Sequence, residues 1–148
     1  MVSTWIFVSD KKIPETETFL TDLKQRLSSW DSHGELVPNS FELIENQIII
    51  VDAQPGATSG CSRDALHKIV NTLLALYDCT MLPSSEVIYR ANDQSIQNVD
   101  FRKVPEMLQN NTMTSDTIIF DAHTRISGDT SWEKPLKNTW LAKFLQPA

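Results

Sequence analysis

The sequence predicts an α+β fold: a ferredoxin-like split β-α-β core followed by a C-terminal β/α extension. Three observations carry this expectation. The elements through residue 91 run β-α-β-β-α-β, two long segments carry apolar stripes at helical spacing, and two short β-runs meet at a tight turn. In such a fold two helices cover one face of a mainly antiparallel sheet, and the last third of the chain extends that sheet.

Residues 2–9 alternate around Trp5 and Phe7 and read as a strand. After a turn over 10–13, Pro14 opens a helix where its missing N–H costs nothing. This helix, over about 14–31, aligns Phe19, Leu20, Leu23, Leu27 and Trp30, and Gly34 is expected to end it. Residues 40–44 and 47–53 are β-runs joined through Glu45-Asn46 as a hairpin. A loop over 54–60 leads into a second helix over about 62–78, with Leu66, Ile69, Val70, Leu73, Leu74 and Tyr77 on one stripe. Residues 86–91 form the fourth strand, and Asn92-Asp93 turns the chain into a shorter run over 96–101.

Beyond that point the pattern weakens. A short helix is expected over 103–109, a polar loop over 110–116, a strand over 117–121 and an irregular stretch over 127–135. Leu136, Trp140, Leu141, Phe144 and Leu145 suit a closing helix capped near Asn138 or Thr139. With no internal repeat, low-complexity stretch or linker, one domain over 1–148 is expected.

At 148 residues, 41% apolar and 22% charged, the chain has the composition of an ordinary globular domain. Thirteen Lys and Arg against nineteen Asp and Glu give a net charge of −6. The densest basic pairs are Lys11-Lys12 and Arg102-Lys103, so a phosphate backbone is repelled and nucleic-acid binding is not expected. Apolar runs such as Ile48 to Val51 are far too short for a bilayer, and Met1 to Ile6 lack the regions of a signal peptide. A cytoplasmic location follows as an expectation, with no membrane partner. Cys61 and Cys79 would lie at opposite ends of the second helix, about 25 Å apart at the helical rise per residue. A disulfide needs Cα atoms within about 7 Å, so two free thiols are expected, as in a reducing compartment.

The chemistry concentrates in Ser59-Gly60-Cys61-Ser62-Arg63-Asp64, where a strand has ended and a helix begins. A helix start offers unpaired N–H groups and the positive end of the helix dipole, which favour an anion or a thiolate. Gly60 permits a sharp turn before the sulfur, and Ser59 or Ser62 can cap the helix. Tracing the β-α-β-β-α-β order through space brings Trp30, His33, Asp52, Ser59, Cys61 and Arg90 to one edge of the sheet.

The leading reading is a pocket for a small anionic ligand. Backbone N–H groups from Ser59 to Ser62 would donate, and His33 and Arg90 would supply charge beside Trp30. A second reading is a cysteine enzyme, with Cys61 as nucleophile, His33 as base and Asp52 as orienter. A third is an interaction module in which the motif is purely structural. Each residue also has a plain role: Cys61 beside a cap, His33 at a helix end, Asp52 in a loop, Arg90 in an ion pair, Trp30 in the core. The helix start alone contributes roughly 0.3–1 kcal/mol, up to about 2, which lowers a thiol pKa by only about one unit from roughly 8.5. His33 or an arginine would have to supply the rest.

Other chemistries are excluded by spacing. Gly56 to Ser62 is one residue short of a phosphate-binding loop, and Cys61 stands where its lysine belongs. A cysteine phosphatase loop wants arginine six residues after the cysteine, where His67 stands. Three histidines and two cysteines show no zinc spacing, and no metal or cofactor is expected. His123 beside Asp121 reads as a structural pair.

The combination Trp30-x-x-His33-Gly34, Ser59-Gly60-Cys61-Ser62-x-Asp64, Pro135 and Thr139-Trp140-Leu141 resembles a family of short bacterial proteins of uncharacterised function. The similarity spans nearly the full length, and members are often labelled "ABC transporter ATPase". The resemblance implies no particular reaction, cofactor or catalytic residue. The label itself needs a Walker lysine and a transporter signature motif, and the sequence has neither. NTP hydrolysis is not expected.

Overall fold

The computed structural model describes residues 3–32, 34–53, 60–83, 85–120 and 133–145, with the backbone alone of Ser3, Gly60 and Cys61. The chain divides into two units, Met1–Leu82 and Pro83–Ala148, and its described residues are mixed α and β.

In the first unit, β5 (Ile48–Ala53) lies between β1 (Ser3–Val8) and β4 (Asn39–Ile44), antiparallel to both. Val51 stands between Trp5 and Phe41, and Ile49 between Phe7 and Leu43. Because side chains alternate across a strand, these residues and Ala53 share one face. Two helices bury that face. Phe19, Leu23 and Leu27 of α1 (Thr16–Leu27) join Leu66, Val70, Leu73 and Leu74 of α2 (Gly60–Leu76) in a single core. Both helices therefore cover the same side of the sheet, as their apolar stripes predict. Between β4 and β5, Glu45 and Asn46 have φ of 50° and 60°, the left-handed conformations a tight hairpin turn requires.

The helix ends differ from expectation for local reasons. Glu15 is left-handed at φ 51°, so α1 starts at Thr16 rather than at Pro14. At the other end the hydroxyls of Ser28 and Ser29 donate to the carbonyls of Gln25 and Arg26 at 2.6 and 3.0 Å. These bonds serve terminal carbonyls that have no partner within the helix. Gly34, expected to end the helix, instead takes φ 89° between β2 (Asp31–Ser32) and β3 (Glu35–Leu36), a small hairpin that residue patterning did not predict. Its N–H is held by the Asp31 carboxylate at 3.0 Å.

Helix α2 begins two residues earlier than expected. It closes with Asp78 at φ 61°, whose N–H bonds the Ala75 carbonyl at 3.1 Å, while the Cys79 N–H bonds that of Leu74 at 2.9 Å. This is a Schellman ending with aspartate in the usual place of glycine, and it turns Cys79 into the core.

The expected fourth strand does not complete this sheet. Met81 makes one antiparallel bridge to Ser9, and the Asp10 and Leu82 N–H groups each bond across the β1 edge at 2.8 Å, to Thr80 and Val8. Pro83 follows with no N–H to donate, and the pairing stops. Residues 86–90 pair elsewhere, so the expected strands do not build the four-stranded ferredoxin-like sheet.

In the second unit, β6 (Glu86–Arg90), β7 (Ile96–Asp100), β8 (Ile118–Phe120) and β9 (Glu133–Pro135) form their own antiparallel sheet, ordered β7-β6-β8-β9. The last third of the chain thus builds a second sheet instead of extending the first. Its core gathers Val87, Val104, Met113, Ile119, Leu136 and Leu141. Asp100 caps a 3₁₀ turn (Phe101–Lys103) by accepting from the Arg102 N–H at 2.9 Å, and α3 (Val104–Gln109) follows where a short helix is expected.

The closing helix is instead two 3₁₀ segments, Leu136–Asn138 and Trp140–Phe144. Thr139 separates them in an extended conformation. Its hydroxyl donates to the Leu136 carbonyl at 2.8 Å and accepts from the Leu141 N–H at 3.2 Å. The residue expected to cap one helix serves both segments.

Candidate functional site

The start of α2 is where sequence motif and observed geometry coincide. The helix begins at Gly60, which makes Cys61 its second residue and Ser62 its third. Ser62 is therefore buried inside the first turn and does not cap the helix from outside. The first N–H groups of an α-helix have no partner within it, and this first turn contains no acidic residue to neutralise them. Arg63 and Asp64, the last two residues of the motif, follow and are both exposed, bringing one charge of each sign.

Two contacts fix α2 against the rest of its unit. The indole Nε1–H of Trp30 donates to the Ser62 carbonyl at 2.7 Å, and the Trp30 ring stands edge-to-face on Trp5 with centroids 6.0 Å apart. Only 2% of Trp30 is exposed, so the ring serves the core and its polar tip is used inside the fold. Near the other end of the helix the Tyr77 hydroxyl donates to the Asp22 carboxylate of α1 at 2.7 Å, and its ring packs edge-to-face on Phe19. Desolvation of this half-buried phenol, reinforced by its hydrogen bond to Asp22 and by the Asp22 charge, pushes its pKa up to about 12.

Of the remaining expected site residues the structure describes Asp52 and Arg90. Asp52 is on β5, where it faces the same way as Ile48 and Ile50, opposite to Val51 and Ala53. The sheet therefore stands between its side chain and both helices. Its carboxylate accepts from the Thr4 hydroxyl of the neighbouring strand at 2.5 Å.

Arg90 belongs to the second unit. Its Nε and Nη2 donate to one Glu133 carboxylate oxygen at 3.1 and 2.5 Å, its Nη1 donates to the Gln94 carbonyl at 2.9 Å, and its guanidinium lies 5.3 Å from the Phe120 ring centre. The geometry is that of the ion pair that was Arg90's plain alternative role. His33, Ser59 and His123 lie outside the described residues.

Among the described residues no three His, Cys, Asp or Glu side chains cluster in a way that could hold a metal ion. Nor is any described helix long and apolar enough to cross a membrane. No protein-family model, curated protein or solved structure matches this chain.

Proposed function

We propose that this is a cytoplasmic protein that binds a small anion at the start of α2. The backbone N–H groups of Gly60 and Cys61 are the donors, and Arg63 and His33 supply positive charge. The observation that carries this reading is the first turn of α2: it lacks an acidic residue and is tethered through the Ser62 carbonyl to a buried indole. Fixed donors bind without the cost of ordering them, which is why helix starts recur as anion sites. Arg90, already engaged by Glu133, is not needed. The net charge of −6 argues against a polyanionic partner, and the buried free thiol of Cys79 suits a reducing compartment.

Titration with inorganic phosphate, followed by amide NMR shifts, tests the proposal. Saturable shifts at Gly60 and Cys61, absent with sodium chloride at equal ionic strength and weakened by Arg63→Glu, are the expected result. Small shifts scattered over the surface, with none at the start of α2, overturn it.

A second reading, Cys61 as a nucleophile, is favoured by its position as second residue of a 17-residue helix. Its alkylation rate should then follow an apparent pKa below the unperturbed value of about 8.5. This reading makes His33 the base, and His33→Ala should then raise that pKa by removing its positive charge. An ordinary profile, insensitive to His33, removes the enzyme reading and leaves the anion site standing.

A further inference from the structure

We draw no further inference here: the strongest candidate, the groove of about 600 Å³ in the second unit lined by Leu108, Met113, Phe144 and Leu145, carries nothing because no feature of the described residues shows what covers it.

Discussion

The indole N–H of Trp30 and the carbonyl of Ser62 meet at 2.7 Å across 32 residues of sequence, tying the segment that follows α1 to the first turn of α2. The bond is buried, so the indole loses a donor site to water only because the carbonyl replaces it. A buried polar group left unmatched costs about 1–3 kcal/mol.

Trp30→Phe keeps a ring on Trp5 but removes the donor and part of the volume. It should destabilise the protein by about 1–2 kcal/mol in urea unfolding, against roughly 3–5 kcal/mol for Trp30→Ala. A Phe variant as stable as the parent would show that the tether contributes nothing.

Tyr77 connects the two helices through Asp22, and Tyr77→Phe should cost about 0.5–3 kcal/mol near neutral pH because the acceptor is a carboxylate. The same contact gives the protein an alkaline limb. With the folded pKa raised from 10.0 to about 12, the folded state holds its proton where the unfolded chain has lost it. That stabilisation is complete below pH 10 and disappears as pH climbs from there towards 12. Unfolding measured across this window should show a steeper fall for the parent than for Tyr77→Phe; identical slopes would rule out the linkage.

Asp78 occupies a left-handed position at the end of α2, where a Cβ is a steric burden. Its exposed contact with Lys11, at 3.4 Å, offsets little of that. Asp78→Gly should raise stability by roughly 0.5–1 kcal/mol, the larger gain in backbone strain exceeding the added entropy of the unfolded chain. Thermal unfolding decides the sign, and a lower midpoint would mean the aspartate holds the turn by its side chain.

Thiol counting on denatured, unreduced protein should return two thiols per chain. Cys61 and Cys79 bracket α2, and its rise keeps their Cα atoms about 25 Å apart. In the native state Cys79 should react slowly, being buried beside the helix end. A count of zero would require pairing within or between chains.

Periodicity made the first unit's framework legible. The stripes on α1 and α2 settle that each buries one face, and the alternation around Trp5 and Phe7 places the first strand. Glu45-Asn46 announces a turn because few residues tolerate positive φ. The hairpin over 31–36 stayed hidden because two-residue strands carry no period, and Gly34 suits a helix end as well as a turn. The closing segment misled for a related reason: its apolar spacing fits a helix, but Thr139 spends its hydroxyl on both sides and holds the backbone extended.

For the candidate site, residue type alone located the start of α2, because glycine, small polar residues and an ensuing apolar stripe mark a helix N-terminus locally. Its neighbours were another matter. Whether Asp52 faces the helices depends on strand parity, and whether residues 86–90 join β1 depends on competition among strands far apart in sequence. Residues 80–82 take the β1 edge, and Pro83 ends the pairing before β6 begins. By itself the sequence determined α1 and α2, their buried faces and the helix start bearing Cys61, since these follow from spacing within one segment. Only the tertiary structure decided that Trp30 bonds Ser62, that Asp52 lies across the sheet, and that Arg90 pairs with Glu133. Those contacts join groups tens of residues apart, and no local rule of spacing encodes which distant partner satisfies a buried donor or charge.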